Sequence, residues 1–491
     1  MRKILISLFL TTSLFGEDIK LDKPDIKEEV IETDNKVVID GQEIKYKAYA
    51  GTLPLKDKDN KPKGSIFFVA YFKEGVENPS TRPITYCFNG GPGCSSVFLH
   101  MGAFGPRRIE FNEQGKSTPP YEIKNNDLSI LDLTDLVFID PISTGFSRTV
   151  QGEDPKQFHG VDEDIGVFAE FIRYFSSRYG RWDSPKYIAG ESYGTTRAAG
   201  LAYKLHEDEF IYLNGVVLIS SVLNYQTIRD LNESNDLPYI LFLPSYTAAA
   251  WYHHRLKPEL QNDLHESIAK AEEFAMNEYA TALLKGDLLT LAEKKEIAKK
   301  LSDFTGLSEE YLLNSNLRVM NYKFTKELLR KDFRSIGRFD ARFIGVESNQ
   351  CAQYSENDPS FEVLAGAFSG ALNQYLISNL KWNKYDSYTL IADVGNWNYG
   401  KAQNTYLNTG KDLRDVMNKN PDLKVFVASG AYDLATPYFA TDYTFNHLGL
   451  DPSLRSNVTQ QYYEAGHMMY IHHPSLVKLK KDLKAFYKDS E

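Results

Sequence analysis

The chain has 491 residues, of which 42% are hydrophobic and 25% are charged, and its formal net charge at pH 7 is −10. This composition is that of an ordinary globular protein, and the length allows one large domain with insertions. Because no basic excess exists to neutralise phosphates, the charge argues against nucleic acid as the main partner.

The first residues are typical of a secretory signal peptide. A basic start at 1–3 precedes a mostly apolar run at 4–15, which ends at Gly16 before acidic Glu17. Such a run is too short for a bilayer core of about 30 Å. We predict a signal peptide at 1–16, export to the periplasm or medium of a bacterium, and no membrane span. The alternative is a buried strand or helix at the N-terminus.

The three cysteines, Cys87, Cys94 and Cys351, allow at most one disulfide within the chain. A small secreted domain that depends on disulfides would carry more. We therefore expect a core that is stable without covalent cross-links, and at least one thiol must stay unpaired within the chain.

Strand and helix patterns alternate in the first half of the chain. Dense β-forming runs predict strands at 66–72, 83–88, 136–139, 186–189 and 215–219. Apolar residues at helical spacing predict helices at 162–175 and 195–205. Strand signals return at 388–392, 425–429 and 460–463. This alternation is typical of an α/β protein with a mostly parallel central sheet and helices on both faces.

Residues 224–343 interrupt this alternation. They are rich in charge and in helix formers, most plainly at 266–301, and they lack clear strand signals. A connection of this length is far beyond an ordinary loop. We predict a helical cap at 224–343, inserted between two parts of one sheet domain at 17–223 and 344–491. The first residues of that domain, 17–36, are predicted to be a loose lead-in.

Residues 190–194 read GESYG and match the G-x-S-x-G pattern of a nucleophile elbow. In that motif a strand turns sharply into a helix, and a strained serine exposes its Oγ. Glycines flank the serine because side chains there would clash. The predicted strand at 186–189 and helix at 195–205 make Ser192 the candidate nucleophile. A glycine-rich turn with an incidental serine is the alternative.

A serine hydroxyl needs a general base, and the base needs an acidic residue that orients it. In the α/β-hydrolase fold the acid and then the histidine follow the serine, just past the ends of late strands. Asp433 lies past the predicted strand at 425–429, and His467 follows the one at 460–463. We therefore predict an α/β-hydrolase fold with a triad of Ser192, Asp433 and His467.

Other acidic and histidine residues fit these roles less well. Asp393 follows an apolar run and is the alternative acid, whereas Asp422 precedes its strand, at the wrong end of a parallel sheet. The histidine pairs at 253–254 and 472–473 suggest metal binding, but no ligand cluster at suitable spacing accompanies them. His100 is interpreted as packing near the glycine-rich loop. We predict no metal site and no cofactor.

A tetrahedral intermediate needs backbone N–H donors aimed at its oxyanion. One donor belongs to the residue after the nucleophile, here Tyr193. The other comes from a loop after an early strand, and residues 89–93, NGGPG, follow the predicted strand at 83–88. Glycine permits close approach of this backbone to a substrate, although a plain turn is the alternative.

Five sequence blocks, in order, resemble the serine carboxypeptidase family. They are NGGPGCSS at 89–96, DPISTGFS at 140–147, GESYG at 190–194, GAYD at 430–433 and GHM at 466–468. The resemblance covers residues 40 to 480 approximately and is weakest across the predicted cap. Together with the export signal, it identifies the chain as a bacterial-type member.

The resemblance implies the same triad and adds further site residues. The N–H groups of Gly91 and Tyr193 are implied to form the oxyanion hole. Asn89, Gly90 and Glu191 are implied to bind the C-terminal carboxylate of a peptide substrate. The implied activity is the removal of C-terminal residues from peptides through an acyl-enzyme intermediate.

A carboxylate that faces another carboxylate is repelled unless one of them is protonated. Glu191 beside a substrate carboxylate should therefore share a proton. We expect peptidase activity to be highest at acidic pH and to decline as that proton is lost.

The chain departs from the family pattern at three places. Residues 195–196 are both threonine, where many members differ. Cys94 is often in a disulfide in the family, but here only two other cysteines exist. Many members carry a second glutamate shortly before a Gly-Pro pair, whereas residues 103–104 here read AF. Glu191 therefore lacks the carboxyl partner that the family implies.

Three functions are compatible with these features to different degrees. The first is a serine carboxypeptidase acting on peptides with a free C-terminus, which the presence of Asn89 and Glu191 favours. The second is an esterase, amidase or acyltransferase on the same scaffold. The third is a binding protein without activity, against which the complete triad argues. The oligomeric state is left open, with a homodimer as one alternative.

Overall fold

The structure is a computed structural model that describes residues 28–56, 59–112, 115–231, 234–384 and 386–490. The predicted signal peptide and the start of the predicted lead-in, up to residue 27, lie outside these residues. Among the helices within these ranges, none has both the length and the apolarity that crossing a membrane requires.

A single large sheet lies at the centre of the described structure. The strands, in chain order, are β1 (Glu29–Ile39), β2 (Gln42–Lys56), β3 (Pro62–Lys73), β4 (Ile84–Phe88), β5 (Arg107–Ile109), β6 (Ile123–Asn125), β7 (Asp135–Ile139), β8 (Arg148–Thr149), β9 (Lys186–Glu191), β10 (Gly215–Ile219), β11 (Arg334–Ile336), β12 (Ile344–Val346), β13 (Lys424–Gly430) and β14 (Val458–Tyr463). Within the described residues, the large sheet has the order β1-β2-β3-β7-β4-β9-β10-β13-β14, with β8 paired to β3. β5 pairs with β6, and β11 pairs with β12, in two small separate sheets.

The sheet is antiparallel at one edge and parallel elsewhere. The pairs β1–β2, β2–β3 and β3–β7 are antiparallel. From β7 through β4, β9, β10 and β13 to β14, every pairing is parallel. β4, β7, β9 and β10 are buried along their whole length, which is why the sequence is mostly apolar there, apart from charged residues at the ends of β7 and β9. The predicted mostly parallel sheet is confirmed.

Helices cover both faces of this sheet. They are α1 (Val161–Arg178), α2 (Tyr193–Asp208), α3 (Leu237–Tyr252), α4 (Pro258–Gln261), α5 (Leu264–Phe274), α6 (Ala280–Lys285), α7 (Leu291–Thr305), α8 (Glu309–Asn314), α9 (Asn321–Glu327), α10 (Pro359–Ser378), α11 (Gly410–Lys419), α12 (Tyr438–Asn446) and α13 (His473–Asp489). Successive residues of β3 point to opposite faces: Phe68 belongs to the core under α1 and α2, and Phe67 to the core under α10 and α13. This alternation is the two-residue period of a strand.

The segment at 224–343 contains α3 to α9. Its helices surround a third apolar core, which includes Phe242, Tyr246 and Phe324 and extends to Tyr432 just past β13. The sequence of the segment lacks clear strand signals, but the segment contains the short strand β11, which pairs with β12 immediately beyond it.

Two element predictions are wrong. The lead-in is partly a strand, because β1 begins at Glu29 and pairs with β2 along its whole length. Its N-terminal half exposes charged side chains on an edge strand, so the sequence there shows no apolar run. Residues 388–392 form no strand and make only isolated bridges, from Ile391 to Cys94 and from Thr389 to Gly145. This run is apolar because it packs over loops beside the candidate site.

A buried arginine joins the helices to the glycine-rich loop. Arg197 of α2 forms a two-pronged ion pair with Asp164 of α1, at 2.7 and 3.2 Å. Its Nη1 donates a third hydrogen bond to the carbonyl oxygen of Asn89, at 2.6 Å. The guanidinium also packs against the rings of Phe88, Phe168 and Tyr193. This one side chain therefore fixes the loop that follows β4.

We expect Arg197→Ala to lower the free energy of unfolding by about 3–5 kcal/mol, because it leaves the Asp164 carboxylate buried without its ion partner. Urea unfolding followed by circular dichroism measures this change. The control is Arg173→Ala, whose half-exposed ion pair with Glu209 at 3.2 Å should contribute about 0–1 kcal/mol. A loss at Arg197 no larger than that at Arg173 would contradict the assigned role.

Candidate active site

Ser192 lies at the sharp turn between β9 and α2. Its φ is 60° and its ψ is −129°, a conformation that costs energy for any residue except glycine. Its N–H donates to the carbonyl oxygen of Ile219 at 3.0 Å, which holds the turn against β10. A Cβ added at Gly190 would lie 2.2 Å from the oxygen of Gly194. The glycine that precedes the turn is therefore required by close backbone packing.

The loop after β4 packs backbone to backbone against this turn. A Cβ added at Gly90 would lie 2.5 Å from the backbone nitrogens of Tyr193 and Gly194. Gly91 has a φ of 101°, which favours glycine. Tyr193 is the first residue of α2, where N–H groups have no acceptor within the helix. The two predicted oxyanion donors thus belong to adjoining backbone segments.

His467 and Asp433 are in direct contact, as the sequence predicts. Nδ1 of His467 lies 2.7 Å from Oδ2 of Asp433, and both side chains are buried. Oδ1 of Asp433 accepts hydrogen bonds from the N–H groups of Ala435 and Thr436, at 2.7 and 2.9 Å. The N–H of His467 donates to the carbonyl oxygen of Phe339 at 2.6 Å. These bonds fix the carboxylate and the imidazole relative to each other.

The sequence analysis missed Thr436, a third contributor to this contact. Its hydroxyl donates to Oδ2 of Asp433 at 2.8 Å and lies 3.2 Å from Nδ1 of His467. The same hydroxyl lies 3.1 Å from the carbonyl oxygen of Ser220, at the end of β10. The signal that could have found it is its spacing three residues after Asp433, at which a side chain can close a local turn.

The charge state of His467 depends on two opposing effects. Burial disfavours the imidazolium, but the charge and hydrogen bond of Asp433, together with the charge of Glu191, outweigh burial and raise the pKa of His467 above its usual value. An imidazole whose proton on Nδ1 points at a carboxylate has its Nε2 directed away from that carboxylate.

Six of the predicted site residues line one cavity of about 380 Å³. These are Asn89, Gly90, Gly91, Glu191, Ser192 and His467. The remaining lining residues are Pro92, Cys94, Phe98, Arg338, Phe339, Phe361, Ile391 and Met468. A larger groove of about 720 Å³, between α5 and the β14 edge of the sheet, is lined by none of the predicted site residues. The smaller cavity is therefore the candidate active site.

Glu191 is buried beside this cavity. Its Oε1 accepts a hydrogen bond from Nδ2 of Asn89 at 2.9 Å, and its Oε2 accepts one from the hydroxyl of Tyr470 at 2.6 Å. Oδ1 of Asn89 accepts from the N–H of Leu99 at 3.0 Å, which fixes the amide orientation. Burial raises the pKa of Glu191 to about 7. The sequence analysis paired Glu191 with Asn89 but missed Tyr470.

The competing candidates lie elsewhere. Asp393 is exposed, and its carboxylate accepts from the N–H of Gly395. His100 packs in the core, where its ring stacks on Phe138 with 4.3 Å between centroids. Nε2 of His253 lies 2.7 Å from the carbonyl oxygen of Ala341, and Nδ1 of His472 lies 2.8 Å from the hydroxyl of Ser475. Within the described ranges no group of three or more metal-binding side chains comes together.

The sequence differs from the family pattern in its cysteines and at Ala103. All three thiols are free in the structure. Cys94 lines the cavity, and burial raises its pKa to about 12, so the thiol is neutral. Ala103 is buried in a π-helical turn, Leu99–Phe104, that follows the glycine-rich loop.

Comparison with known proteins gives three findings. The family model described as serine carboxypeptidase matches residues 39–474. Serine carboxypeptidase-like 34 of Arabidopsis thaliana is 31% identical over 194 residues, which are 38% of this chain and 36% of that protein. Serine carboxypeptidase-like 33 of the same plant is 27% identical over 227 residues, 44% of either chain. The chain thus spans less than half the length of these two curated relatives.

A solved structure is similar over nearly the whole chain. The prohormone-processing carboxypeptidase KEX1(delta)p from Saccharomyces cerevisiae superposes with a TM-score of 0.57 and 17% identity, covering 90% of this chain and 92% of that one. At this identity the likeness bears on the fold alone. It confirms the predicted α/β-hydrolase fold.

We expect Asp433→Asn to lower the pKa of His467, because burial is then opposed only by the weaker effect of the Glu191 carboxyl. NMR titration of the His467 ring measures the shift. The control is Asp393→Asn, which removes the alternative acid and should leave His467 unchanged. A shift in the Asp393 variant instead would reverse the assignment.

Proposed function

Because this chain belongs to the serine carboxypeptidase family, we propose that it is a serine carboxypeptidase that removes C-terminal residues from peptides. One observation carries the proposal. A single cavity holds Ser192 and His467, the groups needed for acyl transfer, together with Asn89 and Glu191, a pair suited to a carboxylate.

The first half of the reaction is acylation. Ser192 Oγ attacks the carbonyl carbon of the last peptide bond while Nε2 of His467 takes its proton. Asp433 holds the other ring nitrogen and stabilises the imidazolium. The N–H groups of Gly91 and Tyr193 stabilise the oxyanion. His467 then gives its proton to the departing nitrogen, and the C-terminal amino acid leaves.

The second half repeats these steps with water. His467 takes a proton from a water molecule, and the resulting hydroxide attacks the acyl-enzyme carbonyl. The same N–H donors stabilise the second intermediate. Ser192 Oγ is released when His467 returns the proton, and the shortened peptide leaves with a new C-terminal carboxylate.

Glu191 gives the site its preference for a free C-terminus. With a pKa of about 7, its carboxyl group is mostly protonated in mildly acidic solution. It then donates a hydrogen bond to the substrate carboxylate instead of repelling it. The amide of Asn89 and the N–H of Gly90 complete the carboxylate site. Loss of Asn89 and Glu191 would have favoured an esterase, amidase or acyltransferase, but both residues are present at the cavity.

The proposal extends to the domains and to the place of action. Residues 224–343 would form a cap between the core segments 17–223 and 344–491, since α3 to α9 lie between β10 and β13 in the chain. Residues 1–16 support export to the periplasm or medium of a bacterium, as a bacterial-type member of a family whose curated relatives named above are from a plant. The partner is a peptide substrate, and a homodimer stays an open alternative.

We expect hydrolysis of a blocked dipeptide to decline as pH rises through about 7, because Glu191 then loses its proton and repels the substrate carboxylate. The acidic limb, where His467 must lose its proton to act as a base, should be common to all substrates. Measuring kcat/KM against pH for the dipeptide and for its C-terminal amide separates the two limbs.

Only the dipeptide should show the decline near neutrality, and Glu191→Gln should remove it because the side chain then cannot ionise. Equal pH dependence for the acid and the amide would contradict the role of Glu191.

We expect a fluorophosphonate probe to label the protein covalently and to fail with Ser192→Ala. The matched control is Ser143→Ala, since Oγ of Ser143 also contacts a histidine nitrogen, Nε2 of His159 at 2.9 Å. Intact-protein mass spectrometry should show one adduct on the wild type and on the Ser143 variant. Labelling that survives Ser192→Ala would refute the assigned nucleophile.

A further inference from the structure

Tyr470 is the second hydrogen-bond donor to Glu191, and it comes from the far end of the chain. Its ring and the Glu191 carboxyl are both buried, and the hydroxyl donates to Oε2 at 2.6 Å. Tyr470 lies in a single 3₁₀ turn, Met469–Ile471, three residues after His467. The loop after β14 therefore supplies both the candidate general base and this hydroxyl.

The ring of Tyr470 is held in a slot that the π-helical turn Leu99–Phe104 provides. A Cβ added at Gly102 would lie 2.6 Å from Cε2 of the ring. The same turn contributes the Leu99 N–H that orients Asn89. One short segment thus positions the donors to both oxygens of Glu191, and the side chain of the next residue, Ala103, is apolar.

We propose that Tyr470 is a positioning residue, which holds the carboxyl plane of Glu191 so that its proton is directed at the C-terminal carboxylate of a peptide. This inference rests on the proposed function and deepens it. With Asn89 on Oε1 and Tyr470 on Oε2, the carboxyl group cannot rotate without losing a buried hydrogen bond.

A tyrosine in this place has a consequence that a second carboxyl would not have. Burial raises the pKa of Tyr470 well above its usual value, so the phenol stays a neutral donor at every working pH. Two facing carboxyls would share protons and titrate as a coupled pair. Here a single carboxyl titrates, and we expect the loss of peptidase activity to follow one proton.

The other groups that face Glu191 come from three segments. His467, in the loop after β14, lowers the pKa of Glu191 when charged, and Asp433, after β13, raises it. The glycine-rich loop contributes Asn89 and the neutral thiol of Cys94. A change at Tyr470 that leaves these groups in place therefore reports on the phenol hydroxyl.

The test is Tyr470→Phe, which removes the hydroxyl and keeps the ring. We expect the alkaline limb for a blocked dipeptide to move up by about one pH unit, because the charged form of Glu191 loses a donor. At about pH 6 the KM for the dipeptide should rise on the order of tenfold while kcat changes little. Hydrolysis of the C-terminal amide should be unchanged. Gly102→Ala should reproduce this pattern, since its Cβ would displace the ring.

The matched control is Tyr246→Phe, which removes a buried hydroxyl bonded to the carbonyl oxygen of Val319 at 3.1 Å, far from the site in sequence and in the core of the helical segment. It should leave the hydrolysis of both substrates unchanged. Tyr470 has no positioning role if Tyr470→Phe leaves both the alkaline limb and the KM for the dipeptide unchanged. The same holds if the variant lowers kcat/KM equally for the dipeptide and for its amide. If the wild type itself treats acid and amide alike, the proposed function fails first.

Discussion

The rest of the site depends on the close approach of two backbone segments at the carboxyl edge of the sheet. β4 and β9 are parallel neighbours, with Phe88 opposite Gly190, so the chain leaves both strands at the same place. The segments then touch so closely that a Cβ on Gly90 would overlap the backbone of α2. This contact places Asn89 and Glu191 within hydrogen-bond distance and puts Ser192 in the same cavity.

Two buried carboxyl groups in this site differ through their surroundings. Asp433 accepts hydrogen bonds from two backbone N–H groups and a hydroxyl, and it contacts His467. Glu191 has two side-chain donors and lies at the cavity wall, where burial raises its pKa to about 7. One carboxyl is therefore suited to orienting an imidazole and the other to exchanging a proton with a ligand. Separation of acid roles by environment is a general device of active sites.

The sequence predicted the parts of the site that depend on local pattern. The nucleophile elbow could be predicted because Ser192 lies between a buried strand and a helix. Asp433 and His467 could be predicted because each follows the end of a late strand. Thr436 was missed although its spacing three residues after Asp433 is a local signal. Tyr470 was missed because its contact joins distant segments: it lies 279 residues from Glu191. The run at 388–392 was misjudged because an apolar segment that covers a loop has the same composition as a strand.

The most direct test of the central claim is to digest a peptide with a free C-terminus, and the same peptide amidated, at about pH 6, and to follow both by mass spectrometry. We expect the free peptide to shorten one residue at a time from its C-terminus, the amide to react far more slowly, and Ser192→Ala to leave both intact. Internal cleavage, or equal rates for the acid and the amide, would show that the cavity does not bind a terminal carboxylate.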